Sequence, residues 1–163
     1  MKIIGIDPGL SGAIAVLEDN KVLNIFDIPV MSEGKKNKKQ LNSAFLVSLL
    51  KQNISKNEEI AVVVEQVNAM PGQGVTSMFN FGQTFGAIKG ICAALDLPIF
   101  FVRPSKWKKH FELINSSKDS SRTKAIEMYP KLSNQLAKKK DVNKSDAILI
   151  ARFFSETRLT EEI

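Results

Sequence analysis

Residues 3–12 read Ile-Ile-Gly-Ile-Asp-Pro-Gly-Leu-Ser-Gly and are the most informative part of this chain. The isoleucines favour a buried β-strand, because β-branched side chains pack well on a pleated sheet. The Pro-Gly and Ser-Gly pairs that follow predict a turn. Asp7 therefore stands at the end of a buried strand, where the backbone bends away. A carboxylate in that position, joined by acids from distant parts of the sequence, is suited to bind magnesium.

The size and composition of the chain indicate one ordinary globular domain. A chain of 163 residues buries roughly two thirds of the surface that its unfolded form exposes, so we expect a single domain over residues 1–163. The hydrophobic fraction of 44% and the charged fraction of 25% are typical of a soluble globular protein and favour neither disorder nor a fibrous architecture. A net charge of +6 favours a polyanionic partner, first of all nucleic acid. The alternative is that the excess lysine only keeps the protein soluble.

Cysteine content and hydropathy predict a cytoplasmic protein. Cys92 is the single cysteine, so it has no partner for an internal disulfide, which fits a reducing compartment. The N-terminus enters a strand directly, without the pattern of a signal peptide. No apolar run approaches the roughly 18 residues that suggest a membrane span. We expect no membrane partner.

The hydrophobic pattern predicts an α/β protein with one mixed sheet. The predicted strands cover residues 2–7, 13–17, 22–28, 60–65 and 98–102, and the predicted helices cover 41–53, 75–95, 104–111, 120–128 and 144–156. Residues 32–39 are polar and rich in lysine, and we expect a mobile surface loop there. Three antiparallel strands followed by two parallel additions form a five-stranded sheet with helices on both faces. This order resembles the ribonuclease H topology.

The predicted helix over residues 75–95 carries an unusual stripe of Gly82, Gly86 and Gly90. Each glycine costs a helix about 1 kcal/mol relative to alanine, so another backbone should approach closely enough to offset the loss. The stripe could pack on a second subunit or on the sheet of its own subunit.

Three acids from distant elements are candidates for one metal site. Asp7 ends the first strand, Glu65 ends the fourth, and Asp146 lies near the start of the last helix. Phosphodiester cleavage with two magnesium ions needs carboxylates from different elements around the ions. Two of these acids also have a structural explanation. Asp7 could be a turn residue that accepts hydrogen bonds from the local backbone, and Asp146 could favour the helix dipole from the first turn of a helix. Glu65 is harder to explain structurally, because it follows a run of buried valines.

Motifs over nearly the whole chain carry a family resemblance. They comprise residues 4–13, 64–65, 70–77, 81–82 with Gly86 and Gly90, 102–108, 118–122, 140–141 and 145–151. In this ordered set the chain resembles the RuvC-type Holliday junction resolvases, which are crossover junction endodeoxyribonucleases with a ribonuclease H-like fold. The resemblance is closest to the branch found in bacteriophages, with relatives in poxviruses and chloroplasts.

The resemblance implies a homodimeric endonuclease that binds four-way or other branched DNA. It implies paired symmetric nicks with 5′-phosphate and 3′-hydroxyl ends, in a bacterial or phage-infected cell. Two Mg²⁺ ions, or Mn²⁺ in their place, would be held by Asp7, Glu65 and Asp146. The bacterial enzymes usually carry an aspartate where this chain has Asn143. Asp141 is therefore the candidate fourth catalytic acid, or else a solvated partner for neighbouring lysines.

The resemblance also implies roles for residues around the acids. Lys118 matches a lysine near the active centre, where it could stabilise phosphate charge. We expect Lys106, Lys108, Lys109 and Arg122 to contact DNA phosphates, although these residues could instead form a solvated surface. Met70 or Phe79 could wedge between bases while Gln73 meets base edges or phosphate. We expect Trp107 to serve packing, with base stacking as the alternative, and we assign no catalytic role to His110.

Two other functions compete with the nuclease as interpretations of the sequence. An actin-like sugar kinase or ATPase also places Asp-x-Gly after a strand, but it needs a second lobe that 163 residues do not supply. A catalytically weak or inert junction-binding protein would use the basic surface without a complete acid set. Asn143 is the feature that keeps this second alternative open.

Overall fold

The computed structural model describes residues 1–34 and 38–161. The strands are β1 (Lys2–Asp7), β2 (Ala13–Glu18), β3 (Lys21–Asp27), β4 (Val30–Glu33), β5 (Lys38–Leu41), β6 (Ile60–Glu65) and β7 (Ile99–Val102). The helices are α1 (Ser43–Gln52), α2 (Val75–Ala94), α3 (Pro104–His110), α4 (Ser120–Met128) and α5 (Val142–Glu161), with short 3₁₀ turns at Pro130–Leu132 and Lys139–Asp141. None of the described helices is both long enough and apolar enough to cross a membrane.

Five strands form one mixed sheet in the order β3-β2-β1-β6-β7. The strands β1, β2 and β3 pair antiparallel, whereas β6 runs parallel to β1 and β7 runs parallel to β6. The predicted ribonuclease H-like sheet is confirmed. Because β1 and β6 are parallel neighbours, with Ile6 opposite Val64, their carboxyl ends lie at the same edge of the sheet.

Helices cover both faces of the sheet, as the near-continuous apolar strands require. Alternate residues such as Ile4 and Val62 join a core with Leu46 of α1 and Ile88 of α2. The other face, which includes Ile3, packs in a second core with residues of α3, α4 and α5. Full burial of one such aliphatic side chain contributes about 1.5–3 kcal/mol. The two cores fix the central strands on which the candidate acids stand.

Gly5 determines how closely α5 approaches β1. A Cβ atom at Gly5 would lie 2.2 Å from the carbonyl oxygen of Ala147 and 2.8 Å from the Cβ of Ala151. Any larger residue would push the helix away from the strand. The glycine therefore lets the first turns of α5, including Asp146, lie directly against the strand that ends in Asp7.

A β-hairpin replaces much of the mobile loop predicted for residues 32–39. Strands β4 and β5 pair antiparallel, with Glu33 opposite Lys38. The loop prediction was wrong for these strands, and residues 35–37 lie outside the described part of the chain. The hairpin side chains are mostly exposed, so the segment lacks the apolar alternation that predicts strands. Opposite charges facing each other across the ladder favour the pairing.

The glycine stripe of α2 faces away from the sheet. A Cβ atom added to Gly82, Gly86 or Gly90 would meet no described atom within 4 Å. Buried Thr84, Ile88 and Cys92 lie on the opposite side of the helix. Of the two alternatives for the stripe, packing on its own sheet is therefore excluded.

Candidate active site

The structure brings Asp7, Glu65 and Asp146 together at the carboxyl edge of the central strands. Asp7 ends β1, Glu65 ends β6, and Asp146 stands in the second turn of α5. All three side chains are partly buried. Their charges act on one another, since Glu65 and Asp146 both raise the pKa of Asp7, and Asp146 raises the pKa of Glu65.

Asp7 is the most perturbed of the three acids. Burial, followed by the charges of Glu65 and Asp146, raises its pKa from 3.8 to about 7. The ammonium group of Lys108 acts in the opposite direction. Near neutral pH this carboxyl group exchanges readily between its protonated and charged forms. A cation that binds it stabilises the charged form, which burial disfavours.

Glu65 is held by one hydrogen bond from the protein core. The indole Nε1–H of Trp107 donates to Glu65 Oε2 at 2.7 Å. Burial raises the pKa of Glu65, and this hydrogen bond lowers it in part. We expected Trp107 to serve packing alone, so its contact with a candidate catalytic acid is a feature that sequence reasoning missed. A single tryptophan in a lysine-rich helix gave no signal of it.

Asp146 carries a buried oxygen without a partner. Burial raises the pKa of this acid, and its Oδ1 atom accepts no hydrogen bond from any described residue. The hydroxyl of Ser121 lies near enough to lower the Asp146 pKa. That hydroxyl is itself buried and outside hydrogen-bond geometry. A buried carboxylate oxygen without a donor is costly unless a ligand satisfies it.

The chemistry of these three acids fits a divalent cation. They offer only hard oxygen donors, from three separate elements, in a partly desolvated pocket. No three His, Cys, Asp or Glu side chains in residues 1–34 and 38–161 stand close enough together to be a preformed metal cluster. The three carboxylates repel one another when no cation is bound. A shared ion would offset this repulsion and draw their oxygens closer together.

Lysines stand beside the acids. Lys108 lowers the pKa of Asp7, Glu65 and Asp146, and its Nζ lies 5.4 Å from the centre of the Trp107 ring. Exposed Lys118 lines a cavity of about 330 Å³ together with Lys108 and Asp146. This cavity places two cations next to one candidate metal ligand. It can accept an anionic group such as a phosphate.

Asp141 is engaged locally and is not brought into contact with the other acids. Its carboxylate accepts hydrogen bonds from the backbone N–H of Lys138 at 2.9 Å and from Lys144 Nζ at 3.1 Å. Burial raises its pKa, but these two donors outweigh burial and the pKa lies below its usual range. The residue that lines the cavity with Asp146 is Asn143, whose side-chain amide donates to the Ser11 carbonyl at 2.6 Å.

The predicted DNA-contacting cations differ in their surroundings. The guanidinium of Arg122 donates to both carboxylate oxygens of Asp119 at 2.7 Å and to the carbonyls of Leu136 and Ala137 at 3.1 Å. Arg122 therefore ties α4 to a neighbouring loop within the fold. Lys106 and Lys109 are exposed, but Lys106 lines a different groove along β7.

The segment after β6 presents exposed apolar side chains. Met70 is 60% exposed and Phe79 is 66% exposed. Gly72 adopts a φ of +86°, a conformation that favours glycine, and the Gln73 N–H donates to the Met70 carbonyl at 3.3 Å. This turn follows Glu65 by only a few residues. Met70, Gln73 and Phe79 are exposed and thus accessible to a large ligand.

Comparison with solved structures identifies the fold. RuvC of T. thermophilus in complex with a Holliday junction substrate superposes with a TM-score of 0.64 at 17% identity, covering 98% of this chain and 96% of that chain. A second Thermus thermophilus RuvC structure gives a TM-score of 0.57 at 18% identity, covering 97% of each chain. No protein-family model matches the sequence, and no curated protein matches it. The chain has a RuvC-like fold over nearly its whole length.

Proposed function

We propose that this protein is a metal-dependent, structure-selective DNA endonuclease that resolves Holliday junctions or other branched DNA. The observation that carries the proposal is the meeting of Asp7, Glu65 and Asp146 at one edge of a RuvC-like sheet, beside Lys108 and Lys118. The products would be paired nicks with 5′-phosphate and 3′-hydroxyl ends. The bacteriophage-like branch remains the sequence resemblance that we favour, and the cytoplasm of a bacterial or phage-infected cell is the expected location.

Asp7, Glu65 and Asp146 would hold Mg²⁺ or Mn²⁺, with two ions per site. When bound there, such ions would supply activation of water and stabilisation of the departing 3′ oxygen. The protein itself supplies the partly desolvated pocket, in which the carboxylates remain strong ligands because few donors compete for them. Lys108 and Lys118 hold the scissile phosphate and offset its charge. Met70, Gln73 and Phe79 contact the opened centre of the junction.

A second copy of the chain would bind along the exposed face of α2. Gly82, Gly86 and Gly90 have open space at the Cβ position, so another backbone can approach them closely. A homodimer would present two active sites to two opposed strands, which matches the symmetry of a four-way junction.

The dimer proposal predicts that Gly86→Glu converts the protein to a monomer, because a charged side chain would enter the contact between the helices. Analytical ultracentrifugation measures the change, and Gln52→Glu on exposed α1 is the matched control. The variant should fold normally, since the added side chain meets open space. A Gly86→Glu protein that sediments as a dimer would show that the contact lies elsewhere.

The decisive test compares labelled four-way, Y-shaped and linear duplex DNA, with and without Mg²⁺. We expect paired cuts in the branched substrates only, and only with the metal. Asp7→Asn and Glu65→Gln should bind the junction without cutting it, whereas Asp96→Asn, an exposed acid at the opposite end of β7, should cut normally. Cleavage by Asp7→Asn at the normal rate would reject the metal role.

A catalytically inert junction-binding protein is the second candidate. Asn143 favours it, because an amide bound to the Ser11 carbonyl stands where the resolvases carry an acid. Such a protein would bind the four-way junction in the same experiment and leave it uncut at every Mg²⁺ and Mn²⁺ concentration.

A further inference from the structure

Trp107 joins the core of the protein to one candidate metal ligand. It is the only tryptophan of the chain, it is 0% exposed, and it belongs to the core that packs under α5. Its indole Nε1–H donates to Glu65 Oε2 at 2.7 Å. Among the described residues, this is the only hydrogen bond that reaches the Glu65 carboxylate.

Both ends of this hydrogen bond are held in place. Glu65 is paired with Val102 across the β6–β7 ladder, and the N–H of the next residue, Gln66, donates to the Val102 carbonyl at 2.8 Å. Helix α3 begins two residues later with Pro104 in its first turn, where the fixed φ of proline favours helix. Trp107 therefore sits on a helix that is anchored to the strand next to Glu65.

The donor to Glu65 is neutral, and this distinguishes Glu65 from Asp141 and Asp119. Asp141 is paired with Lys144 and Asp119 is paired with Arg122, so a cation already balances each charge. An indole N–H orients a carboxylate and adds no formal charge. Glu65 can therefore be fixed in one orientation and still attract a divalent cation. A lysine or arginine in place of Trp107 would compete with the metal for the same oxygens.

We propose that Trp107 is a positioning residue that holds the Glu65 carboxylate in the orientation that binds the divalent cation. This inference rests on the metal-dependent function proposed above. In this role Trp107 acts through its hydrogen bond to Glu65 and contacts neither DNA nor the metal. Outer partners of this kind typically change metal affinity by about 10- to 100-fold when they are removed.

The sharpest test removes the N–H and keeps the shape. Because the chain has one tryptophan, replacing tryptophan by β-(3-benzothienyl)alanine changes Trp107 alone and puts sulfur in place of the N–H. Binding of Mn²⁺ to the full-length protein is followed by the electron paramagnetic resonance signal of free Mn²⁺. We expect affinity about tenfold weaker or worse, with junction cleavage recovered when Mn²⁺ is raised in proportion. Phe111→Leu, a conservative change in the same core, is the control and should leave Mn²⁺ affinity unchanged.

The natural fluorescence of Trp107 gives a second measurement that needs no variant at this position. Titration of the wild-type protein with Mg²⁺ should change the Trp107 emission in a saturable way, and Asp146→Asn should remove the response at the same concentrations. Normal Mn²⁺ affinity of the benzothienyl protein would overturn the positioning role and leave the nuclease proposal standing. Wild-type protein that binds no Mn²⁺ and cuts no branched DNA would overturn the nuclease proposal itself.

Discussion

Asp141 and Asp146 lie five residues apart at the start of the same helical segment, yet their surroundings are opposite. Asp141 accepts from a backbone N–H and a lysine ammonium, and its pKa lies below its usual range although burial acts to raise it. Asp146 has a buried oxygen without any described partner, and burial raises its pKa. One acid stabilises the fold, whereas the other is held at a cost to it.

This difference separates structural acids from candidate catalytic acids in this protein. A structural acid is compensated by nearby donors, so it has little remaining tendency to bind an external cation. Asp7, Glu65 and Asp146 are desolvated, and burial is the largest influence on the pKa of each, which favours a ligand that supplies positive charge. Substituting one structural acid and one candidate catalytic acid in turn should therefore give different effects on stability and on cleavage.

The largest expected effect comes from Asp146→Asn. We expect junction cleavage to fall by more than about 10²-fold, with junction binding and folding retained, because only the metal-binding charge is lost. Asp141→Asn should instead lower the free energy of unfolding by about 1–3 kcal/mol and keep cleavage. Nicking assays and urea denaturation measure the two effects. Loss of cleavage in well-folded Asp141→Asn would place this acid in the metal site after all.

Smaller effects are expected when either of two cations, Lys118 or Arg122, is replaced by alanine. Lys118→Ala should slow cleavage by about 10- to 100-fold at an unchanged Tm, and it should reduce the salt dependence of junction binding by about one phosphate contact. Arg122→Ala should lower the Tm, because its guanidinium joins Asp119 to the carbonyls of Leu136 and Ala137. An unchanged Tm in Arg122→Ala would contradict the structural role and favour DNA binding by this residue.

The free energy of unfolding should depend on pH, because burial raises the pKa values of the three acids and repulsion between them adds to this at Asp7 and Glu65. The pKa of Asp7 rises from 3.8 to about 7 on folding, so between these values the folded protein binds more protons than the unfolded chain. Stability then falls as pH rises through this window, and the raised pKa values of Glu65 and Asp146 act in the same direction. With chelator present we expect the Tm to drop by on the order of 10 °C between pH 4 and pH 7.

Asp7→Asn should flatten this pH profile, because the substituted amide does not titrate. Thermal melts across the pH range measure it, and added Mg²⁺ should raise the Tm of the wild-type protein most at the upper end. A Tm that rises steadily from pH 4 to pH 7 would contradict the assignment of Asp7 as a buried, uncompensated acid.

The smallest effect is expected at the exposed loop and the start of α2. Met70→Ala combined with Phe79→Ala should weaken the preference for four-way over linear DNA by roughly 3- to 10-fold, because the proposed wedge would contact only an opened junction. Stability should not change, since both side chains are more than half exposed. Competition binding with the two DNA forms measures the preference, and equal preference in variant and wild type would remove the wedge role.

Much of the fold followed from periodicity in the sequence. The five sheet strands and five helices were predicted because long apolar runs and three- to four-residue steps are strong local signals. The β4–β5 hairpin was missed because its exposed side chains lack that pattern. The ends of α5 also differ from the prediction, since the helix begins at Val142 and Asn143 lies inside it instead of before it.

The sequence by itself determined which acids stand at the ends of strands and where the glycines fall, because these are local properties of the chain. Only the tertiary structure decided which acids are buried next to one another, and that the donor to Glu65 comes from a distant helix. The donors to Asp141 and Asp119 lie only three residues away in the chain, whereas Trp107 reaches Glu65 across 42 residues of sequence. No pattern along the chain records whether a buried carboxylate will find a donor, because burial and distance are set by packing.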